Sequence, residues 1–244
     1  MTGRTAAVVP AAGRGERLGP GAPKALRELA GQPILVHTVR ALGAARGVDV
    51  VVVAAPPGGG PDGADAVHAL LADHLGDEAV TTTLLVVAGG ATRQESVALA
   101  LAALPADVDV VLVHDAARPL VPAALVEQVI AAVRGGADAV VPGVPLADTV
   151  KQVDAAGRVE ATPARETLRA VQTPQGFRRA VLESAHAAAD PAAPATDDAG
   201  LVERVGVPVI VVPGHDDAFK VTRPLDLVLA EAVLARRRAA GLLV

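Results

Sequence analysis

A loop near the start of the sequence combines glycines with cationic side chains. It runs AAGRGERLGPGAPK from Ala11 to Lys24 and follows a short apolar run. Gly13 and Gly15 have no Cβ, so the backbone there can adopt positive φ and approach a ligand closely. Successive backbone N–H groups in such a turn form a concave anion site, and the side chains of Arg17 and Lys24 can then hold phosphates. We therefore predict that this loop cradles a chain of phosphates.

Two familiar phosphate-binding loops do not fit these residues. The dinucleotide fingerprint G-x-G-x-x-G requires a glycine where Leu18 stands. A Walker A loop requires Gly-Lys-Ser/Thr, but Lys24 lies between Pro23 and Ala25. What remains is A-A-G-x-G-x-R followed by P-K. The competing interpretation is a surface loop between a strand and a helix whose charges are incidental.

Short apolar runs alternate along the chain with stretches that carry apolar residues at helical spacing. Strands are predicted at 5–9, 48–54, 84–87, 108–113, 137–141 and 207–212, and helices at 33–42, 64–75, 93–104, 122–133, 178–189 and after Pro224. This alternation predicts an α/β fold with a Rossmann-like, mostly parallel, twisted sheet and helices on both faces. Ligands bind such sheets beyond the carboxyl ends of the strands. That rule places Gly13, Gly90 and Asp115 on one edge of the molecule.

The composition excludes several classes of partner and site. Aromatic residues make up 1% of the 244 residues and the net charge is −5, so base stacking is unavailable and we expect no nucleic-acid partner. The chain has no cysteine, which excludes disulfides, thiol nucleophiles and thiolate metal sites. No apolar stretch reaches the roughly 18 residues of a membrane span, and the start lacks the pattern of a secretory leader. We therefore expect a cytoplasmic protein that does not associate with membranes.

The alternating pattern changes at Val144. Segments 148–153 and 158–161 flank Asp154-Ala155-Ala156-Gly157, which has the turn chemistry of a hairpin. We predict one domain over 1–244 with a projecting β-hairpin arm at about 144–170. Because exposed strand edges tend to pair, such a hairpin must pack against something. It either closes its own active site as a flap or, the interpretation we favour, clasps a second subunit.

Six short motifs lie in order along nearly the whole chain. They are A-A-G-x-G-x-R…P-K from residue 11, G-G-x-x-R-x-x-S-V from 89, V-H-D-A-A-R-P from 113, D-T-V-K from 148, Q-T-P-Q-x-F from 172 and K-V-T-R-P-x-D-L from 220. In this order and spacing they make the chain resemble the 2-C-methyl-D-erythritol 4-phosphate cytidylyltransferase family. The resemblance implies a fold of the nucleotide-diphospho-sugar transferase type.

The resemblance also implies a reaction. The family transfers CMP from CTP to the phosphate of methylerythritol phosphate, a polyol phosphate, and releases pyrophosphate in the non-mevalonate route to isoprenoid precursors. A phosphate monoester is largely dianionic near neutral pH because its second pKa is about 6, so it can attack without a general base. The task left to the enzyme is alignment and neutralisation of negative charge. Cationic side chains and Mg²⁺ suit that task, whereas His114 is expected to pack at a strand end.

By resemblance, the site residues fall into groups with different expected roles. Catalytic roles are expected for Arg17, Lys24, Arg165 and Lys220. Contacts to the nucleotide are expected for Ala11, Ala12, Gly13, Gly15, Gly90, Arg93, Ser96 and Ala116. Contacts to the polyol phosphate are expected for Asp115, Arg118, Thr149, Arg165, Thr196 and Lys220. The candidate Mg²⁺ ligands are Asp115 and Asp217.

A homodimer is also implied, in which Thr149 and Arg165 on the arm reach into the site of the partner subunit. Simpler structural roles compete at three of these positions. Asp115 could cap the turn that follows it, and Ser96 could be a helix residue whose hydroxyl bonds back to the helix. Arg165 could be a solvated arginine at the start of a helix. From its sequence, Thr196 is the predicted N-cap of the helix that follows it.

The sequence departs from the family pattern at two positions, and two other functions are compatible with it. Arg169 stands where many relatives carry tryptophan, at the root of the arm, and Ala91 stands where some carry an acidic residue near the nucleotide. A ribitol-5-phosphate cytidylyltransferase would share the fold, the nucleotide and most of the motifs. A non-catalytic nucleotide-binding module is the alternative of another class, and the presence of Arg17, Lys24 and Lys220 together argues against it.

Overall fold

The computed structural model of the protein describes residues 3–13, 23–76, 82–190, 193 and 195–241. The strands are β1 (Arg4–Pro10), β2 (Glu28–Leu29), β3 (Gln32–Pro33), β4 (Val50–Ala55), β5 (Thr83–Ala88), β6 (Val108–Val113), β7 (Ala139–Pro145), β8 (Gln152–Val153), β9 (Val159–Ala161), β10 (Arg169–Val171), β11 (Gln175–Arg178) and β12 (Val209–Pro213). The helices are α1 (Ile34–Gly43), α2 (Ala64–Leu75), α3 (Arg93–Ala102), α4 (Ala123–Arg134), α5 (Arg179–Ala187), α6 (Asp198–Arg204) and α7 (Pro224–Ala239).

A mixed, mostly parallel sheet forms the centre of the fold. The strand order is β10-β7-β11-β6-β1-β4-β5, and β12 also pairs with β7. The pairs β1–β4, β1–β6, β4–β5 and β7–β12 are parallel. The strand β11 runs antiparallel to both β6 and β7, and β10 runs antiparallel to β7. The predicted α/β class with a mostly parallel sheet is therefore confirmed.

Alternate residues of the central strands face two separate cores. On β1, Ala7 and Val9 belong to the core that contains the buried side chains of α1, α2 and α4. Their neighbours Ala6 and Val8 belong to the core that contains those of α3, α5 and α6. Because successive side chains of a strand point to opposite faces, a strand buried on both sides has a continuous apolar sequence. Helices thus cover both faces, as predicted, and leave the ends of the strands to carry the polar loops.

The start of α6 differs from the prediction. Asp197, and not Thr196, is the N-cap: Oδ1 of Asp197 accepts a hydrogen bond of 2.9 Å from the backbone N–H of Gly200. Thr196 is exposed one residue earlier. A carboxylate satisfies an unpaired N–H and also interacts favourably with the positive end of the helix dipole. The side chain of Asp197 therefore caps the helix in place of the hydroxyl of Thr196.

Residues 152–161 form a short, exposed hairpin. Gln152 pairs with Ala161 and Val153 with Val159, in strands shorter than the sequence predicts. In the turn, Oδ1 of Asp154 accepts hydrogen bonds from the backbone N–H groups of Ala156 and Arg158, both at 2.9 Å. Val153 and Val159 are 51% and 58% exposed. Their exposure leaves apolar surface available for a partner, and the role of this hairpin as a clasp stays a prediction.

Within the described ranges, none of the helices has the length and apolar character needed to cross a bilayer.

Candidate functional site

A cleft of about 600 Å³ lies at the carboxyl ends of the parallel strands. The loops after β1 and β6 and the start of α3 form its walls, together with Lys24 and the segment that precedes α7. The described lining residues are Pro10, Ala11, Ala12, Gly13, Lys24, Ala25, Ala91, Thr92, Arg93, Ser96, Asp115, Ala116, Ala117, Lys220 and Thr222. Residues far apart in sequence therefore meet at the edge of the sheet where ligands bind such folds.

The predicted phosphate loop contributes the part of this wall that follows β1. Ala11, Ala12 and Gly13 line the cleft, and the N–H of Ala11 donates a 2.8 Å hydrogen bond to the carbonyl of Ala54, which extends the pairing of β1 with β4. Lys24 lines the cleft from the other end of the loop, at the start of a short turn. The predicted contacts of Gly15 and Arg17 fall outside the described residues.

The start of α3 is fixed by a network around Ser96. Its Oγ donates to the carbonyl of Thr92 at 2.8 Å and accepts from the N–H of Gly90 at 3.1 Å. The side chains of Thr92 and Glu95 form a capping box, and Oε2 of Glu95 also accepts from the N–H of Ala91 at 2.8 Å. The back-bonded hydroxyl that competed with a nucleotide role for Ser96 is present, and Ser96 lines the cleft as well.

Asp115 is the centre of charge in the cleft, with three cations around it. Nζ of Lys220 lies 2.8 Å from Oδ2, Nε of Arg93 lies 3.6 Å from Oδ1, and Nε of Arg118 lies 3.7 Å from Oδ2. Burial opposes ionisation of this carboxyl, but the charges of Lys220, Arg93 and Arg118 outweigh burial and hold the pKa of Asp115 well below its usual range. Asp115 is therefore a carboxylate at neutral pH and balances part of the positive charge.

Thr173 and His114 form a hydrogen-bonded chain that begins at the backbone of Asp115. The N–H of Asp115 donates to Oγ1 of Thr173 at 3.0 Å, and that hydroxyl contacts Nδ1 of His114 at 3.1 Å. Nε2 of His114 lies 3.1 Å from the carbonyl of Arg118, which fits the tautomer with its proton on Nε2. Complete burial lowers the pKa of His114 to about 4. As expected from the sequence, His114 packs at the end of β6, whereas Thr173 was not among the predicted site residues.

Arg118 lies behind Asp115 and does not line the cleft. Its Nη1 donates to the carbonyl of Ala218 at 2.7 Å and its Nη2 to that of Val171 at 3.4 Å. These bonds tie the loop after β6 to the segment before α7. In this structure Arg118 acts on the cleft through Asp115, and its contact with the polyol phosphate stays a prediction.

Asp217 is placed elsewhere than its predicted role as a metal ligand requires. Its two oxygens accept from Nη2 of Arg236 at 2.9 Å and from Nη2 of Arg237 at 2.8 Å, both on α7. Desolvation opposes the ionised form, but these two arginines more than compensate and lower the pKa of Asp217. Asp217 does not line the cleft, so its carboxylate fixes the last helix to the preceding loop and does not face the space where a metal would meet a triphosphate.

Three other predicted residues lie away from this cleft. Thr149 and Arg165 are exposed on either side of the hairpin, and Nη1 of Arg165 donates to the carbonyl of Ala147 at 2.7 Å. Thr196 is exposed beside the start of α6. The structure therefore groups Ala11, Ala12, Gly13, Lys24, Arg93, Ser96, Asp115, Ala116 and Lys220, with Gly90 bonded to Ser96.

The donor set for Mg²⁺ is small. In the described ranges, no three His, Cys, Asp or Glu side chains come together in a way that could hold a metal, and Asp115 is the acidic residue among the described cleft lining. Mg²⁺ commonly keeps several waters and binds through one or two carboxylates plus substrate phosphates. One carboxylate fits a Mg²⁺ ion that arrives with a triphosphate, and it does not fit a resident ion held by protein ligands.

Comparison with known proteins gives one consistent result. The sequence model of 2-C-methyl-D-erythritol 4-phosphate cytidylyltransferase matches residues 5–236. The enzyme of that name from Streptomyces coelicolor is 63% identical over 96% of this chain and 86% of its own, and that from Frankia casuarinae is 62% identical over 96% and 82%.

Solved structures agree with the sequence matches. The 2-C-methyl-D-erythritol 4-phosphate cytidylyltransferase from Thermus thermophilus is 38% identical, with a TM-score of 0.71 over 93% of this chain and 98% of that one. The 4-diphosphocytidyl-2C-methyl-D-erythritol synthase from Anaerococcus prevotii is 26% identical, with a TM-score of 0.78 over 96% and 99%. On these matches, which run along almost the whole chain, the protein belongs to the 2-C-methyl-D-erythritol 4-phosphate cytidylyltransferase family.

Proposed function

We propose that the protein transfers CMP from CTP to 2-C-methyl-D-erythritol 4-phosphate and releases pyrophosphate, a step in the synthesis of isoprenoid precursors. The main support for this proposal is that Lys24 and Lys220, from opposite ends of the chain, line one cleft together with Asp115 and residues Ala11–Gly13. The names of the relatives support the choice of substrates, and no observation favours ribitol 5-phosphate as the acceptor.

The chemical step needs alignment and charge more than it needs a base. An oxygen of the acceptor phosphate attacks the α-phosphorus of CTP, the bond from that phosphorus to the oxygen bridging to the β-phosphate breaks, and pyrophosphate leaves. The attacking group is already ionised near neutral pH. His114 is completely buried at the end of β6, and its pKa of about 4 makes it a weak base, so it plays no part in this step as a base.

The cationic side chains supply the electrostatic contribution. Lys24 and Lys220 stabilise the charge that builds up on the triphosphate as the new bond forms, while the N–H groups of Ala12 and Gly13 donate to its oxygens. Lys220 has Asp115 as its partner at 2.8 Å, so it must share that contact with the incoming phosphates. Arg93, Ser96 and the backbone at Gly90 and Ala116 contact the nucleoside side of CTP.

Asp115 would hold Mg²⁺ together with oxygens of the triphosphate and water. When bound, the ion neutralises and orients the triphosphate. The contribution of the chain is to keep this carboxylate ionised, which the charges of Lys220, Arg93 and Arg118 ensure against the effect of burial by lowering its pKa.

The protein is proposed to act as a cytoplasmic homodimer in which the hairpin completes the partner's site. Thr149 and Arg165 are exposed and lie outside the cleft of their own subunit. Val153 and Val159 on the hairpin are also exposed, which is unfavourable for apolar side chains unless they are covered. A second copy of the chain would cover them and would receive Arg165 next to its acceptor phosphate.

The test is an assay of pyrophosphate release with CTP and Mg²⁺, in parallel with 2-C-methyl-D-erythritol 4-phosphate and with ribitol 5-phosphate. We expect fast release with the first acceptor and release at least about a hundredfold slower with the second. A site whose polar groups are arranged for one polyol leaves some of them unpaired when another polyol binds, and this discriminates strongly between the two. Comparable turnover of ribitol 5-phosphate, or no release with either acceptor, would overturn the proposal.

A further inference from the structure

Arg93 is shared between two carboxylates at unequal distances. Its Nη1 lies 2.7 Å from Oδ2 of Asp198, whereas its Nε lies 3.6 Å from Oδ1 of Asp115. The side chain of Asp198 is 1% exposed, while that of Arg93 is 32% exposed and lines the cleft. Asp198, at the start of α6, therefore holds the guanidinium of Arg93, and the exposed part of the Arg93 side chain lies in the space proposed for the nucleotide.

A histidine fixes the other side of Asp198. Nε2 of His186, on α5, lies 2.9 Å from Oδ1 of Asp198, and the imidazole side chain is 6% exposed. Burial disfavours the charged carboxylate, but the hydrogen bond from His186 and the charge of Arg93 outweigh it and lower the pKa of Asp198. Asp198 thus stays ionised, with one oxygen on His186 and the other on Arg93.

The neighbouring acidic residue cannot take over this role. Oδ1 of Asp197 accepts from the N–H of Gly200 at 2.9 Å, and its Oδ2 accepts from Nε2 of Gln175 at 2.6 Å. If Asp198 lost its charge or its orientation, the guanidinium of Arg93 would be drawn to Asp115. There it would compete with Lys220 for the same carboxylate.

We propose that His186 and Asp198 are positioning residues for nucleotide binding. They hold Arg93 on the α3 side of the cleft, open to CTP, and they leave Asp115 to Lys220. Neither residue touches the cleft itself. The inference rests on the proposed function, because it concerns the binding of CTP at the same site.

The test uses two replacements of His186 in steady-state assays of pyrophosphate release. His186→Leu removes the hydrogen-bond donor, and we expect the KM for CTP to rise about tenfold while kcat changes less than about threefold, as for a lost hydrogen bond to a charged group. His186→Gln places an amide N–H near the position of Nε2, so we expect it to restore most of the affinity. Melting temperatures identify any variant that fails to fold.

A double-mutant cycle separates positioning from a purely structural role. In an Arg93→Ala background, His186→Leu should leave the KM for CTP unchanged, because the group it acts through is absent. The same cycle with Asp198→Asn, which keeps the shape of the side chain, covers the case in which His186→Leu does not fold.

An equal rise in KM in both backgrounds, or an unchanged KM in folded His186→Leu, would overturn the positioning role alone. Absence of CTP turnover in the wild-type protein would instead overturn the proposed function, and the inference with it.

Discussion

Nζ of Lys220 lies 2.8 Å from Oδ2 of Asp115, although the two residues are 105 positions apart in sequence. The N–H of Val221 donates to the carbonyl of Ala117 at 2.8 Å, which docks the segment before α7 onto the loop after β6. The carboxylate of Asp115 offsets part of the positive charge that an incoming triphosphate would meet in the cleft. If Lys220 is to contact the phosphates of CTP, its contact with Asp115 must change when CTP binds.

Removal of the Asp115 charge should make the cleft bind anions more tightly. In Asp115→Asn, Lys220, Arg93 and Arg118 lose their common counter-charge. We expect the Kd of inorganic pyrophosphate without Mg²⁺ to fall by about tenfold, which corresponds to roughly 1.4 kcal/mol, and kcat with Mg²⁺ to fall as well. Calorimetry without Mg²⁺ measures the affinity separately from the proposed role of Asp115 as a metal ligand. Asp217→Asn is the matched control, since its partners Arg236 and Arg237 lie on α7, and its Kd and Mg²⁺ dependence should equal those of the wild type. A weaker affinity for pyrophosphate in Asp115→Asn would contradict the balancing role.

Lys24 should be needed for turnover but not for folding. We expect Lys24→Ala to lower kcat by more than about tenfold, as removal of one charge-stabilising group typically does, with an unchanged circular dichroism spectrum and melting temperature. Arg46→Ala is the control for the lost charge, because the Arg46 side chain is 95% exposed and lies outside the cleft. Turnover of Lys24→Ala within twofold of the Arg46→Ala value would remove Lys24 from the mechanism.

Gly90 should not tolerate a side chain. A Cβ at this position would overlap Cβ of Glu95 and lie 2.8 Å from its Oε2, so the capping box at the start of α3 would have to open. We expect Gly90→Ala to raise the KM for CTP by about tenfold or more, since a capping interaction contributes about 1 kcal/mol and the adjacent wall moves with it. Gly59→Ala is the control, because a Cβ there meets nothing within 4 Å. Equal CTP kinetics for the two variants would refute this steric account.

The buried His114 should make the protein less stable in mild acid. Burial lowers its pKa to about 4, whereas in the unfolded chain it titrates near 6.5. Between these values the unfolded state binds the additional proton, so the free energy of unfolding falls as the pH falls from about 6.5 to 4, by at most about 1.4 kcal/mol per pH unit from this residue. Chemical denaturation across this range measures the slope.

His114→Gln isolates that contribution, because glutamine retains a donor for the carbonyl of Arg118 and does not titrate. We expect the variant to lose less free energy of unfolding between pH 6.5 and 4 than the wild type does. Identical pH profiles would show that His114 is not held neutral in the folded state.

The hairpin can be tested by complementation between two inactive variants. In a homodimer with exchanged arms, a mixed dimer of Lys24→Ala and Arg165→Ala has one site with both defects and one intact site. Random mixing of equal amounts should therefore restore roughly a quarter of the wild-type activity. Arg165→Ala alone should lose use of the polyol phosphate and keep its affinity for CTP. No recovery on mixing, after refolding together, would mean that Arg165 acts within its own subunit.

The regular elements of the fold could be predicted from the sequence because its periodicity is strong. The helix at 64–75 and the strand at 108–113 have the predicted bounds. Glycine and proline mark the ends of most other elements, and the rule that ligands bind at the carboxyl ends of parallel strands located Gly13 and Asp115 at one edge. Local patterns and the fold rule agree here, so the prediction was correct.

Contacts that depend on tertiary packing could not be predicted in this way. The pairing of Asp217 with Arg236 and Arg237 is set by the docking of α7 and has no local signal. The Asp198–His186 pair joins two helices, and a run of two aspartates does not show which one caps the helix and which one turns inward to Arg93. Thr173 contacts His114 across 59 positions. It belongs to the Q-T-P-Q-x-F motif from residue 172, but a local motif does not show which distant side chain its threonine contacts.

A crystal structure of the protein with CTP and Mg²⁺ bound would show whether Lys24 and Lys220 contact the same triphosphate. We expect Nζ of Lys24 and Nζ of Lys220 both to lie within about 3.2 Å of phosphate oxygens. The triphosphate should lie over the N–H groups of Ala12 and Gly13, and Lys220 should no longer contact Asp115 alone. A triphosphate contacted by only one of the two lysines, or bound outside this cleft, would contradict this expectation.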